Sequence, residues 1–106
     1  MKKSSRKHKK YEQDTIAEDV FDFHDFGILT EHEIQNFAYD FLWKAHKNFL
    51  HKVRIITGKG LRSINGPVVK PVVEQYLRTL PFVKSFGPAK YNEGGSGAIN
   101  VILDQG

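Results

Sequence analysis

The alternation of apolar and polar residues along the chain predicts four short strands. Residues 20–23 read Val, Phe, Asp and Phe and stop at a polar cluster, which is typical of a short strand. Residues 53–57 form a β-branched run that ends at Gly58, which predicts a strand buried on at least one face. Two further strands are predicted at residues 83–86 and 98–103, on either side of a polar, glycine-rich stretch.

The first helix is predicted by a start signal and by an apolar stripe. Thr30 followed by Glu33 matches a capping box, in which each side chain accepts a hydrogen bond from a free backbone N–H at the helix start. Trp43 falls outside the stripe, and we expect it at the rim of the core. The stripe recurs at helical spacing and consists of Ile34, Phe37, Ala38, Phe41, Leu42, Ala45 and Phe49.

The second helix is predicted over residues 67–80, where valine, tyrosine and leucine recur at helical spacing. Pro67 suits a first helical position. Pro71 would remove the hydrogen bond to the carbonyl of residue 67 and would clash with that carbonyl. We therefore expect regular helix to begin near Lys70.

The element order is strand, helix, strand, helix, strand, strand, and it predicts an α/β fold. We expect a two-layer sandwich in which a mixed four-stranded sheet carries two helices on one face. The first three strands can pair in parallel through right-handed crossovers, whereas the short last connection requires the fourth strand to run antiparallel to the third. Because two helices cover only one face, the second face is expected to be free for a partner.

Composition narrows the class of protein. The chain has 106 residues and a mass of 12.1 kDa, which is enough for one domain. It contains no cysteine, which excludes disulfides, thiolate metal sites and a cysteine nucleophile. The sequence has no apolar stretch near the roughly 20 residues of a membrane span, and no signal-peptide core follows its basic start. We therefore expect a cytoplasmic protein with no membrane partner.

Positive charge is concentrated at the start of the chain. Six of the 16 Lys and Arg residues lie in the first ten positions, so a net charge of +4 leaves 10 basic against 12 acidic residues, a net −2, in the remainder. We predict a disordered basic and polar tail at residues 1–19 and a folded domain at residues 20–104. The tail either attracts nucleic-acid phosphates without sequence preference or is a solubilising leader.

Asp22 and His24 are candidates for acid–base chemistry. Two residues apart on a strand, their side chains would leave the same face about 7 Å apart, where a carboxylate can orient an imidazole that titrates near neutrality. Alternatively, Asp22 caps a turn and His24 only packs at the strand end. Asp25 and Glu31 lie close enough in sequence to suggest a metal site instead. The zinc-binding motif H-E-x-x-H, which would start at His32, is not present because Asn36 stands at the position of its second histidine. No metal ligand or cofactor is therefore predicted, although a divalent metal is not excluded.

Two glycine-rich segments are candidates for binding a phosphate backbone. Gly58-Lys59-Gly60 lies between a predicted strand and a helix, where backbone N–H groups can face outward and hold a phosphate, with Arg62 close behind. Taken alone, such a turn is more often a simple tight connection. The later segment Gly94-Gly95-Ser96-Gly97 is typical of a glycine-rich hairpin loop, which needs no ligand.

Taken together, the motifs have the order of a known family. The order Asp22-Phe23-His24, an amphipathic helix and then the runs I-I-T-G-K-G-L-R-S, G-P-V-V-K and G-G-S-G-A-I-N-V-I-L resembles the small MutS-related (Smr) domain. The resemblance implies a fold similar to the C-terminal domain of a bacterial translation initiation factor, nucleic-acid endonuclease activity and a link to stalled ribosomes. It implies Asp22 and His24 as catalytic residues and, as nucleic-acid-binding residues, Gly58, Lys59, Gly60, Arg62, Gly94, Gly95 and Gly97.

This sequence departs from the family motifs at two positions. Asp25 stands where the D-L-H-G motif usually has glycine, and Thr57 stands where many relatives have histidine. An additional carboxylate near the site repels a substrate backbone. From the family resemblance we nevertheless expect an endonuclease acting on RNA, with DNA as the less favoured substrate. The alternative is an inactive module of the same fold that binds nucleic acid or the ribosome. A protein-interaction domain that uses Trp43 has no specific support.

Overall fold

The computed structural model describes residues 16–58 and 69–106. These residues form one four-stranded sheet and two α-helices, which confirms the predicted α/β class and the mixed sheet. The strands are β1 (Asp19–Asp22), β2 (Lys52–Ile56), β3 (Val83–Pro88) and β4 (Ala98–Leu103), and the helices are α1 (Glu31–Lys47) and α2 (Val69–Leu77).

The strand order in the sheet is β1-β2-β4-β3. β1 pairs with β2 in parallel, and β4 runs antiparallel to both β2 and β3. β3 has the direction of the first two strands but does not pair with β2, so the prediction that these three pair in parallel is wrong at this point. Burial explains the order: five of the six β4 residues are buried, which suits a central strand, whereas β3 exposes Lys84, Ser85 and Pro88, which suits an edge.

Helix α1 begins at the predicted capping box. The Glu33 N–H donates to Thr30 Oγ1 at 3.1 Å, and the Thr30 N–H donates to Glu33 Oε1 at 2.9 Å. Phe49 is the exception to the predicted stripe, because α1 ends at Lys47 and Phe49 adopts a φ of +61° with its side chain 75% exposed. The fully buried members of the stripe are Ile34, Ala38, Leu42 and Ala45.

The described part of helix α2 spans Val69–Leu77 and includes Lys70, near which regular helix was predicted to begin, and Pro71. The helix ends at Leu77, before the predicted end at residue 80, and a turn follows in which the Leu80 N–H donates to Leu77 O.

The core lies between the helices and one face of the sheet. Val53 and Ile55 of β2 and Val101 of β4 pack there with the buried stripe of α1 and with α2. On the other face Lys52 and Ile102 are buried as well, so the second face is not free at these positions, contrary to the prediction. In the part of the chain that the structure describes, neither helix is long and apolar enough to cross a membrane.

Trp43 lies at the rim of the core, as predicted. It is partly exposed, and its ring centroid is 5.5 Å from that of Phe82 and 6.2 Å from that of Tyr39. These contacts join the last part of α1 to the segment just before β3. This cluster is therefore at the end of the sheet opposite the carboxyl ends of β1 and β2.

Candidate functional site

The sheet register brings the predicted motifs to one end of the sheet. Asp22 at the end of β1 pairs with Ile56 at the end of β2, and Ile56 pairs with Ala98 at the start of β4. Adjacent strands lie about 4.8 Å apart, so Asp22 is about 10 Å from the residue that follows the Gly94–Gly97 turn. Gly58 comes two residues after Ile56. The three motifs therefore lie at the same end of the sheet, at the carboxyl ends of β1 and β2, although they are far apart in sequence. This end of the sheet is called the site edge below.

The geometry of Asp22 and His24 differs from the predicted one. β1 ends at Asp22, and residues Phe23–Asp25 form a 3-10 turn rather than a continuing strand. Asp22 Oδ1 accepts a hydrogen bond from the backbone N–H of His24 at 2.7 Å. The carboxylate closes the turn because a short side chain at this position can satisfy a free N–H at the start of a helical turn. Asp22 thus fixes the backbone that carries His24.

His24 presents its imidazole to solvent at the site edge. Its side chain is 80% exposed, and Nδ1 lies 3.8 Å from Asp25 Oδ1. The carboxylate that faces the ring is therefore Asp25, the residue at the motif position usually held by glycine. Phe23 points the other way and is buried against Phe21, with ring centroids 4.9 Å apart. This packing anchors the turn from below while its polar side chains remain accessible.

Gly58 connects the end of β2 to the Gly94–Gly97 turn. Gly97 O accepts hydrogen bonds from the N–H groups of Thr57 at 2.9 Å and Gly58 at 3.0 Å. Gly58 has a φ of +77°, which a residue with a side chain adopts only with strain. Its N–H is directed to Gly97 O and not outward, and the assignment of Gly58 to nucleic-acid binding stays a prediction. Thr57 also directs its hydroxyl inward, to Gly58 O at 3.0 Å.

The Gly94–Gly97 turn is compact. Gly94 has a φ of +115°, and a Cβ atom built there would lie 2.8 Å from Ala98 Cβ. The N–H of Gly97 donates to Gly94 O at 3.0 Å, and the N–H of Gly95 donates to Lys90 O at 2.9 Å. Backbone conformation and close approach therefore explain glycine at position 94 without any ligand.

A partly buried ion pair holds this turn against the sheet. Arg54, on β2, places NH2 3.1 Å from Glu93 Oε1, and its Nε donates to Asn100 Oδ1 on β4 at 2.9 Å. Both members of the ion pair are mostly buried, which makes the contact stronger than an exposed pair would be. The segment just before Gly94 is thus fixed to the two central strands.

Lys70 is a site residue that the sequence reasoning missed. Its Nζ donates to Ser96 O at 2.8 Å, so the first turn of α2 places a cation on the Gly94–Gly97 turn. The contact joins residues 26 positions apart. The sequence signal was the run G-P-V-V-K, which ends at Lys70 and belongs to the family resemblance, but it assigned the lysine no role.

Glu18 holds β1 in register with β2. Its Oε1 accepts hydrogen bonds from the N–H groups of His51 at 2.6 Å and Lys52 at 3.1 Å, and its own N–H donates to Lys52 O at 2.7 Å. The hydrogen bond from the His51 backbone is the main reason that the pKa of Glu18 lies below its ordinary value, with partial burial opposing the shift. This clamp sets the position at which β1 ends, and hence the position of Asp22.

Three predicted binding residues, Lys59, Gly60 and Arg62, lie outside the described residues. Within residues 16–58 and 69–106, no three His, Cys, Asp or Glu side chains are grouped so that they could hold a metal ion. Asp22, Asp25 and Glu31 are accordingly not joined into one cluster there.

Comparisons of the sequence and of the structure with known proteins agree on one family. The sequence model of the Smr domain matches residues 21–104. The Smr domain of MutS2 from Thermus thermophilus has a similar structure, with a TM-score of 0.65 and 26% identity over 83% of this chain and 98% of that one. YdaL, a stand-alone small MutS-related protein from Escherichia coli, gives a TM-score of 0.67 and 26% identity over 79% of this chain and 63% of that one.

Two curated relatives are similar in sequence. Endonuclease MutS2 from Carboxydothermus hydrogenoformans is 43% identical over 63 residues, which are 59% of this chain and 8% of that protein. An uncharacterized protein from Treponema pallidum is 31% identical over 100 residues, 93% of this chain and 48% of that protein. The chain therefore spans less than half the length of both relatives.

Proposed function

Because the chain belongs to the Smr domain family, we propose that it is a nucleic-acid endonuclease that cleaves RNA, with Asp22 and His24 at the reacting phosphate. The observation that carries the proposal is the register of Asp22, Ile56 and Ala98, which gathers three separate motifs at the site edge. The name of the MutS2 relative, an endonuclease, supports the same reaction class. DNA is the less favoured substrate, because it lacks the 2′-hydroxyl on which the simplest mechanism depends.

The proposed reaction uses the RNA as its own nucleophile. The 2′-oxygen attacks the adjacent phosphorus, the new O–P bond forms, and the bond from phosphorus to the 5′-oxygen breaks. His24 accepts the proton of the 2′-hydroxyl, and a proton returns to the departing 5′-oxygen. The products are a 2′,3′-cyclic phosphate and a 5′-hydroxyl. Exposure of the imidazole supports this role, since a phosphate can reach the ring without rearrangement of the fold.

Positive groups near the site edge would hold the backbone and stabilise the negative charge of the transition state. Lys70 is suited to this by its contact with Ser96 O on the glycine turn. Lys59 and Arg62 are proposed for the same task from the sequence motif, as are the glycines at positions 60, 94, 95 and 97. Asp22 acts through the backbone, because its hydrogen bond to the His24 N–H positions the imidazole.

The test is incubation of the purified protein with end-labelled RNA and DNA, with and without a chelator, followed by identification of the product ends. Cleavage of RNA in chelator that leaves a 2′,3′-cyclic phosphate is the expected result. Loss of all cleavage in chelator would replace this route with a metal mechanism through Asp22, Asp25 or Glu31. Failure to cleave any RNA or DNA under any metal condition would contradict the nuclease proposal.

A second function is favoured by one specific observation, the carboxylate of Asp25 beside the imidazole. At 3.8 Å from His24 Nδ1 and 84% exposed, it adds negative charge where a phosphate must approach. We propose as the alternative a module that binds nucleic acid, or the ribosome as the family resemblance suggests, without cleaving it. The Asp25→Gly variant separates the two: cleavage gained only by the variant would identify a silenced nuclease.

A further inference from the structure

We propose that Tyr91, three residues before the Gly94–Gly97 turn, stacks on an unpaired base of the bound RNA, so that the site prefers single-stranded RNA over duplex. This inference rests on the proposed function and adds the substrate class. Tyr91 is 97% exposed and lies three residues before Gly94. A tyrosine so accessible offers both ring faces to a partner, and base stacking on aromatic rings is a general mode of binding single strands.

The backbone that carries Tyr91 is held in place on both sides. Tyr91 begins a 3-10 turn that ends at Glu93, and the Glu93 N–H donates to Lys90 O at 2.8 Å. The Glu93 carboxylate is fixed by Arg54 at 3.1 Å. A ring mounted on a fixed turn loses little backbone entropy when it binds, so its contact contributes more to affinity.

Charge near Tyr91 fits a polyanion. Lys90 precedes it and is exposed, Lys70 contacts the turn that follows, and the acidic charge of Glu93 is offset by Arg54. An aromatic face flanked by available cations is complementary to a nucleotide, which has a flat base and a negative phosphate. A purely apolar protein partner would gain nothing from these cations.

The preference for an unpaired base follows from access. In a duplex each base has its two faces covered by neighbouring bases, so a tyrosine could stack only after a base had been displaced. An RNA loop or single strand presents open base faces at no such cost. The ring would therefore contribute to binding of single strands and contribute little to binding of a duplex.

The test compares binding of a fluorescently labelled single-stranded RNA and of the same sequence as a duplex, by fluorescence anisotropy. Tyr91→Ala is expected to weaken single-strand binding about 5- to 150-fold and to change duplex binding little. Tyr91→Phe retains the ring and should bind like the unmodified protein. Phe49→Ala removes another highly exposed ring, at the opposite end of β2, and serves as the matched control.

Each outcome decides between separate claims. If the unmodified protein binds RNA, and Tyr91→Ala binds single-stranded and duplex RNA with the same affinities as the unmodified protein, the stacking inference is wrong. A protein contact then becomes the better explanation of the exposed ring. An equal loss for single strand and duplex would also overturn it, because stacking would then not be selective. If the unmodified protein binds neither RNA nor DNA, the proposed function itself fails.

Discussion

Replacing Gly94 by alanine tests how the glycine turn is built. The φ of +115° lies far from the left-handed well near +57°, so a side chain there carries backbone strain of about 1–3 kcal/mol. The new Cβ would also lie 2.8 Å from Ala98 Cβ, and relief of such a clash in packed surroundings costs roughly 1–3 kcal/mol. The two costs together lead us to expect that Gly94→Ala lowers the free energy of unfolding by about 2–6 kcal/mol.

Two further variants separate the two causes. Gly95 has a φ of +53° and open space around a built Cβ, so Gly95→Ala should cost only about 1–2 kcal/mol. Ala98→Gly removes the atom with which the new methyl group collides. In a double-mutant cycle, the pair Gly94→Ala and Ala98→Gly should therefore be less destabilised than the sum of the single changes, by at least about 1 kcal/mol.

The assay is urea unfolding of the five proteins (unmodified, Gly94→Ala, Gly95→Ala, Ala98→Gly and the double variant), followed by circular dichroism, with linear extrapolation of the free energy to zero denaturant. The m values should agree, so that midpoints report stability alone. Equal costs for Gly94→Ala and Gly95→Ala, together with additive free energies in the cycle, would refute the close approach as the reason for glycine at position 94.

Two other predictions concern the frame of the site and its charge. Glu18→Gln should destabilise the fold by about 1 kcal/mol at pH 7. Because the pKa of Glu18 is lowered in the folded state, its contribution is present above the ordinary pKa of 4.5 and declines as the pH falls through the folded-state pKa. Unfolding curves of the two proteins should therefore differ less at pH 3 than at pH 7; an equal difference at both pH values would contradict this. Lys70→Met should weaken RNA binding and reduce the slope of log affinity against log salt by about 0.7, whereas Lys47→Met, at the far end of α1, should not. An unchanged slope in Lys70→Met would show that its ammonium group contacts no phosphate.

Local features of the fold were predictable because they depend on neighbours in sequence. The capping box of Thr30 and Glu33 and the residue bounds of β4 follow from short-range pattern and are found as predicted. Pairing was not predictable in the same way. The insertion of β4 between β2 and β3 depends on which strand gains most from burial on both sides, and that comparison involves the whole sheet.

In the candidate site, too, some features were predictable from the sequence and others were not. The gathering of Asp22, Gly58 and the glycine turn at the site edge was implied by motif order, and the register is consistent with it. The end of β1 was misplaced by one residue, because the side chain of Asp22 bonds to the His24 N–H and turns the chain. The contact of Lys70 was not predicted, because its partner, Ser96 O, is a backbone carbonyl, and the residue type at position 96 does not indicate such a contact.

The measurement that tests the central claim most directly is the single-turnover cleavage rate of end-labelled RNA by the unmodified protein and by His24→Ala. His32→Ala, which removes an exposed imidazole from the first turn of α1, is the matched control. We predict that His24→Ala cleaves about 10²-fold more slowly or worse, with RNA affinity little changed, and that His32→Ala cleaves normally. Cleavage by His24→Ala at the unmodified rate would contradict the account.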